Sequence, residues 1–157
     1  MNPTAQKIQD KLGEMGYTNK VIEFEEPTRT AEEAANRVNC VIGQIVKSLV
    51  FQGFPSRRGI LILTSGSNRV DINKLENFIG EKVKKANPDF VRESSGFSIG
   101  GIPPIGLMNE FSVIMDQDLL QYETLWAAAG TPNSVFEVKP QDLLRMSNAI
   151  IKDIKEE

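Results

Sequence analysis

A loop rich in glycine and proline is the segment of this chain whose residue types best suit a binding site. It runs from Ser94 to Leu107 and holds four glycines and two adjacent prolines. Glycine permits positive φ and close approach to the main chain, whereas proline fixes φ and removes a donor. The loop could therefore aim backbone N–H groups at an anion, or it could simply connect a helix to a strand. Nucleotide binding of the Walker or dinucleotide type is disfavoured, because neither Gly-Lys-Ser/Thr nor GxGxxG spacing occurs.

Lys47 is the second residue that could do chemistry, because it interrupts an apolar strand. In the run QIVKSLVF, alternation places Lys47 on the same face as Leu49 and Phe51. An unpaired ammonium is costly to bury. Two environments would satisfy it. One is an edge strand from which the side chain reaches solvent or a carboxylate such as Asp116. The other is the floor of a pocket, where the ammonium faces a phosphate, a carboxylate or an ester carbonyl.

Other common chemistries are excluded by composition. The chain has no histidine and a single cysteine, Cys40, which removes intrachain disulfides, Cys–His pairs and Ser–His–Asp triads. No EF-hand spacing occurs, so we expect no metal site, and no pattern predicts a cofactor. Cys40 is interpreted as a small core residue or a bystander rather than a nucleophile, because no partner base is visible.

Periodicity and capping residues predict the elements that would position the loop and the lysine. Helices are expected from Pro3 to near Gly16, over 31–38 behind Thr30, over 72–79 between Asp71 and Gly80, over 81–86 and 88–92, and from Pro140 to Ile154. Strands are expected at 21–24, 45–52, 59–64, 111–115, 125–129 and 134–138, with hairpins at 53–58 and 130–133. Residues 155–157 are expected to fray. This order predicts an α/β fold of the α+β type, with a mixed, largely antiparallel sheet wrapped by helices.

Length and charge set the broad class. A chain of 157 residues with 40% apolar and 25% charged residues fits one domain over residues 1–157. No apolar segment predicts secretion or membrane spanning, so we expect a cytoplasmic protein without a membrane partner. The net charge of −3 gives no indication of DNA binding. Glutamates crowd residues 23–33 and cations populate residues 57–92, which could be a solvated face or a patch that contacts phosphates.

Five pieces of sequence carry a family resemblance. They are QIVKSLVF, SGSNRVDINKL, GGIPPIG, the strand ending in Asp116, and AAGTPNSVFEVKPQDLLR, and they occur in this order between about Thr30 and Arg145. Together they resemble the YbaK/ProX family of aminoacyl-tRNA deacylases, which is related to the editing domain of bacterial prolyl-tRNA synthetases. The resemblance implies a barrel-like mixed β-sheet surrounded by helices. It also implies a pocket that accepts the aminoacylated 3′ end of a tRNA and hydrolyses a mischarged ester.

The resemblance also implies roles for particular residues. Lys47 matches the family's strand lysine, which helps to anchor the terminal nucleotide or the ester. Gly100 and Pro104 match its GxxxP loop, whose backbone faces the scissile carbonyl, so that Gly100 and Gly101 would lie among the oxyanion donors. The expected substrate-binding residues are Lys47, Ile102, Pro104, Gly106, Asp116 and Gly130. Phe51, Phe97 and Met108 are candidates for the pocket wall, although a core role is the simpler interpretation of each.

Members of this family typically have no protein general base and rely on the substrate's own hydroxyl or side chain. The absence of histidine fits that pattern, but differs from members said to use a histidine in the pocket. The resemblance implies tRNAPro carrying a small amino acid as substrate, and a synthetase as a possible partner. Two other classes stay open: a non-catalytic module that binds a tRNA end or a regulator, and a binder of small carboxylates or phosphates.

Overall fold

Eight strands form two sheets. In the computed structural model, which describes residues 1–157, the three-stranded sheet has the order β1 (Val21–Glu23), β7 (Ser134–Val138) and β6 (Leu125–Ala128), all antiparallel. The five-stranded sheet has the order β4 (Lys82–Lys85), β2 (Val46–Phe54), β3 (Gly59–Ser65), β5 (Ser112–Asp116) and β8 (Ile150–Lys152). Strand β2 pairs antiparallel with β3 and β4, whereas β5 pairs parallel with β3 and β8. The prediction of a mixed, largely antiparallel architecture is confirmed.

The two sheets meet at one parallel bridge, between Ile45 and Trp126. Strands β4 and β8 stand at opposite ends of the five-stranded sheet and do not pair with each other. Strand pairing therefore closes no barrel, and the barrel-like part of the expectation is not confirmed.

Five α-helices flank the sheets: α1 (Pro3–Glu14), α2 (Ala31–Val38), α3 (Ile72–Ile79), α4 (Pro88–Ser95) and α5 (Pro140–Ser147). The first four begin where a side chain accepts a hydrogen bond from the first turn, and these caps are Asn2, Thr30, Asp71 and Asn87. None of the five has the length and apolar character needed to cross a bilayer.

Two predicted helical segments are strands in the structure. Residues 82–85 form β4, because Gly80 ends α3 with a φ of +87° and the next residues pair with residues 51–54 of β2. The closing helix stops at Ser147, since Asn148 adopts a φ of 55° and Ile150–Lys152 pair with β5. The expectation of a frayed end was also wrong for Lys155, which forms a bridge with Val70.

The core lies on both faces of the five-stranded sheet. Strand β3 separates the two sides, and its residues Ile60–Leu63 are each 0% exposed. Leu61 and Leu63 belong to a cluster of 19 buried residues, while Ile60 and Ile62 pack with Leu75 of α3. Burial on both faces explains why this strand is an unbroken apolar run rather than an alternating one.

Candidate active site

A cavity of about 290 Å³ lies where β2, the glycine-rich loop and the β6–β7 hairpin come together. Strand β4 pairs with β2 only along residues 51–54, so the edge of β2 around Lys47 carries no strand ladder on that side. The lining residues lie at 28–31 and Ala34 around the start of α2, at 45–49 of β2, at Ile99, Gly100 and Ile102 of the loop, and at Trp126, Ala128, Thr131, Pro132, Ser134 and Val135 of the hairpin.

Lys47 presents a half-buried ammonium to this cavity. Its Nζ donates one hydrogen bond, to the backbone carbonyl of Asn68 at 2.7 Å, so two of its three N–H donors have no protein acceptor. Burial lowers the pKa of Lys47, the nearby Arg69 lowers it further, and Asp116 opposes both effects. No carboxylate forms an ion pair with Lys47. Of the two environments considered for this lysine, the structure shows the one that lines a pocket.

Asp116 holds the turn that carries the Asn68 carbonyl. It is 0% exposed and does not line the cavity. One oxygen of Asp116 accepts from the Thr64 hydroxyl, the Ser65 N–H and the Asn68 side chain at 2.9–3.1 Å. The other accepts from the Asp118 N–H at 2.9 Å. Sequence reasoning assigned Asp116 to substrate binding, but in this geometry it does not line the cavity and acts on Lys47 through its charge and through its hydrogen bond to Asn68.

The Asn68 side chain is itself fixed from two sides. Its amide also donates to Asp118 at 2.9 Å, and Asp118 accepts from the Lys155 ammonium at 2.8 Å. The hydrogen bond from Lys155 and, to a smaller extent, that from Asn68 hold the pKa of Asp118 below its usual value. The position of the Asn68 carbonyl, which accepts the hydrogen bond from Lys47, therefore depends on residues as distant in sequence as Lys155.

Two backbone donors of the glycine-rich loop are unpaired. Ile99, Gly100 and Ile102 line the cavity, and no protein group accepts a hydrogen bond from the N–H of Gly100 or Ile102. The Ser48 hydroxyl on β2 is also buried without a partner. Unpaired buried polar groups are rare and call for an explanation. The buried Ser48 hydroxyl is such a group and Ile102 is a buried residue, and both line the cavity, whereas Gly100 is exposed.

Gly101 has a different position from that expected. Its N–H donates to the Ser98 carbonyl at 3.1 Å within the loop, so it is not a free oxyanion donor. A Cβ at Gly101 would lie 2.7 Å from backbone atoms of Thr131, a separation that real Cβ atoms do not show. Gly101 thus lets the loop press against the β6–β7 hairpin, and it does not itself line the cavity.

The remaining predicted residues lie behind the cavity wall rather than on it. Gly130 has a φ of +101°, and a Cβ there would lie 3.0 Å from Thr4 of α1. Gly106 has a φ of +75° and approaches Ile8 of the same helix, while Pro104 is buried. None of the three lines the cavity.

The three candidates for the pocket wall also lie elsewhere. Phe51 packs in the cluster beneath α3, and Phe97 packs on the main core. Met108 is 70% exposed. The core role holds for Phe51 and Phe97, whereas it is wrong for Met108, which lies on the surface.

Sequence reasoning missed two walls of the cavity. The first is formed by Thr28–Ala31, where Thr30 caps α2 and turns the start of that helix toward the cavity. The second is formed by Trp126, Ala128 and neighbouring hairpin residues. The capping box located α2 and the Gly130 turn located the hairpin, but neither local signal says which elements face each other.

Cys40 lies away from the cavity. Cys40 is partly buried beside the small cluster formed by Ala34, Ala35 and Ile45, and burial raises the pKa of its thiol. It does not line the cavity. No three Cys, Asp or Glu side chains are grouped as metal ligands.

Comparisons with known proteins identify the family of this chain. Residues 25–146 match the model of the aminoacyl-tRNA editing domain. The Bacillus subtilis protein YwhH is 35% identical over 129 residues, which are 82% of each chain. The candidate Cys-tRNA(Pro)/Cys-tRNA(Cys) deacylase EbsC of Enterococcus faecalis is 25% identical over 140 residues, 88% of this chain and 84% of that protein.

Larger enzymes and solved structures show the same relationship. A region of the proline–tRNA ligase of Thermosipho melanesiensis is 35% identical over 83 residues, which are 52% of this chain and 14% of the ligase. The crystal structure of a candidate trans-editing enzyme for prolyl-tRNA synthetase matches with a TM-score of 0.95 and 42% identity. That match covers 100% of this chain and 99% of the other.

Proposed function

Because this chain belongs to the aminoacyl-tRNA editing domain family, we propose that it is a freestanding trans-editing deacylase that hydrolyses the ester of a mischarged tRNA. One observation carries the proposal. The Lys47 ammonium and the unpaired N–H groups of Gly100 and Ile102 belong to residues that line one cavity. A cation and free backbone donors suit a substrate that combines a phosphate with an ester carbonyl.

The proposed reaction needs little from the protein beyond position and charge. Water adds to the ester carbonyl of the bound aminoacyl end, and the N–H groups of Gly100 and Ile102 stabilise the resulting oxyanion. The intermediate then collapses, the C–O bond to the ribose breaks, and the amino acid and the tRNA hydroxyl are released. As the family resemblance implies, a hydroxyl of the substrate activates the water, and the absence of histidine fits that role. Positioning and oxyanion stabilisation can supply much of the acceleration for such a labile ester.

We further propose tRNAPro carrying a small amino acid as the substrate class, with a synthetase as the partner that supplies it. The names of EbsC and of the trans-editing enzyme support this choice. The cavity volume of about 290 Å³ supports it as well, because a site that also holds the terminal ribose leaves little room for a side chain. Selection between amino acids that differ by one methylene is worth only about 1–3 kcal/mol unless larger groups are excluded sterically.

A panel of charged tRNAs tests the proposal. Wild-type protein, at a concentration well below that of substrate, should release free amino acid from alanyl-, seryl- or cysteinyl-tRNAPro and leave prolyl-tRNAPro intact. Lys47→Ala should lower kcat/KM by about tenfold or more, equivalent to losing about 1.4 kcal/mol of transition-state stabilisation. Lys20→Ala is the matched control, because Lys20 is exposed and forms no ion pair.

Three outcomes would contradict the proposal in different ways. Unchanged turnover in Lys47→Ala would remove Lys47 from the site. Binding of tRNA without release of amino acid from any charged form would identify a non-catalytic module. Binding that hardly depends on salt would point to a small carboxylate or phosphate ligand, because contacts to RNA phosphates weaken as salt rises.

A further inference from the structure

A row of exposed cations follows the free edge of the five-stranded sheet. Strand β4 is the last strand at this end of the sheet, and its residues Lys82, Lys84 and Lys85 are all exposed. The adjoining β2–β3 hairpin adds Arg57 and Arg58, which are also exposed. We call these five residues the basic edge.

Few carboxylates neutralise the basic edge. Arg58 lies 3.4 Å from Glu81, and Lys82 lies 4.0 Å from Glu76. Arg57, Lys84 and Lys85 form no ion pair. The Lys84 ammonium instead lies 5.5 Å from the centre of the Phe54 ring. The basic edge therefore has a positive charge in a protein whose net charge is −3.

The basic edge begins beside the cavity. Lys85 is opposite Phe51 and Lys82 is opposite Phe54, so Lys85 is the end nearer to Lys47. Cross-strand partners project from the same face, which places Lys85 on the Lys47 face of the sheet. Phe51 is four residues from Lys47, or about 13 Å along the strand, and Phe54 lies about 10 Å further. Lys84 and Lys82 are opposite Gln52 and Phe54 and project from the other face, so cations border this edge of the sheet on both sides over about 10 Å.

Exposed glutamates surround another wall of the cavity. Glu25, Glu26, Glu32 and Glu33 flank residues 28–31, which line that wall and include the exposed Arg29. The four glutamates outnumber this arginine, so a polyanion is attracted more strongly to the basic edge than to this stretch.

We propose that the basic edge binds the phosphate backbone of the tRNA acceptor stem whose 3′ end occupies the cavity. The inference rests on the proposed function, because it takes the ligand of the cavity to be the end of an RNA. Lysines on an edge strand also discourage pairing with the edge of another sheet. An experiment must separate that protective role from phosphate binding.

The test compares two variants with the same loss of charge. K82Q/K84Q/K85Q changes the basic edge, and K7Q/K11Q/K20Q changes three exposed lysines of α1 and the segment after it. The ligand is an uncharged, fluorescently labelled acceptor-stem hairpin of tRNAPro, followed by anisotropy over a series of KCl concentrations. We expect the first variant to bind roughly tenfold to a hundredfold more weakly and to lose about 2 to 3 from the log–log salt slope, at about 0.7–0.9 per phosphate contact. The control should keep the wild-type slope.

A short substrate separates failure of this inference from failure of the proposed function. Alanyl-adenosine fills the cavity but has no stem, so K82Q/K84Q/K85Q should hydrolyse it at the wild-type rate. If no form of the protein hydrolyses it, the proposed function fails, while the hairpin affinities still decide the role of the basic edge. Equal hairpin affinity for both variants would overturn the inference. Self-association confined to K82Q/K84Q/K85Q would then assign the lysines to edge protection.

Discussion

Single residues at the cavity owe their chemistry to a few neighbours. Lys47 has a lowered pKa because its side chain is half-buried and Arg69 is close, whereas Asp116 acts in the opposite direction. Because the unfolded chain binds this proton more tightly than the folded protein does, protonated Lys47 lowers the free energy of unfolding. The loss is complete below the pKa of Lys47 in the folded protein, and it disappears as pH rises to the pKa of the unfolded chain. An anion bound beside the charged form would offset this penalty, because it would favour the ammonium.

The first prediction concerns the order in which lysines titrate. Lys47 should lose its proton at a lower pH than Lys74 or Lys155, because hydrogen bonds to carboxylates raise the pKa of both. Arg69→Gln should raise the pKa of Lys47, and Asp116→Asn should lower it further. NMR titration of isotope-labelled lysine side chains measures all three effects. Titration of Lys47 together with Lys74, or a shift of the opposite sign in Arg69→Gln, would contradict this account of the site.

The elements around the cavity are held in place by close backbone contacts. The glycine-rich loop reaches the β6–β7 hairpin only because Gly101 has no side chain, so that Thr131 can approach it directly. The same contact keeps Gly100 and Ile102 at the cavity. The loop therefore depends on glycine at 101 for proximity and at 100 for a φ of +97°.

The second prediction compares two glycines. Gly101→Ala should force the loop away from Thr131, lowering both the free energy of unfolding and kcat/KM for deacylation. Gly13→Ala is the control, because nothing lies within 4 Å of a Cβ at that position in α1. It should stabilise the protein by about 0.5–1 kcal/mol and leave kcat/KM unchanged. Thermal unfolding and kinetics on the same samples test the pair, and full activity in Gly101→Ala would contradict the packing argument.

At the scale of the whole molecule, one of the buried clusters is separate from the cavity. The cluster beneath α3, which includes Phe51, Leu75 and Ile154, contributes none of its buried residues to the cavity lining. Ile154 comes from the segment after β8 and is only 1% exposed. The last segment of the described chain thus completes a core that the first 150 residues leave open.

The third prediction uses that separation. Ile154→Ala should lower the free energy of unfolding by about 2–5 kcal/mol, because it creates a cavity in a packed core. At temperatures where the variant is folded, its kcat/KM should equal that of the wild type. Ile150→Ala is the control on β8. Because Ile150 is 55% exposed, this substitution should change the free energy of unfolding little. Chemical denaturation measures the free energies of unfolding. A loss of activity in folded Ile154→Ala would show that the cluster beneath α3 is coupled to the cavity.

Local sequence signals determined much of the protein. Capping residues placed α2 and α3, Gly and Pro turns placed the two hairpins, and five ordered motifs indicated the family. These features depend on residues close together in sequence, whose conformational preferences act without the rest of the fold. Lys47 was also found in this way, because it interrupts an apolar run, whereas Gly100 and Ile102 were assigned through the glycine-rich loop and the family resemblance.

Only the tertiary structure decided which groups meet. The acceptor for Lys47 is the Asn68 carbonyl, 21 residues away, and the contact partner of Gly101 is Thr131. Residues 82–85 and 150–152 became strands because sheet edges were available to pair with them, which overrode their helix-like patterns. Pairing, burial and charge at such distances depend on how the sheets pack, and no stretch of neighbouring residues contains that information.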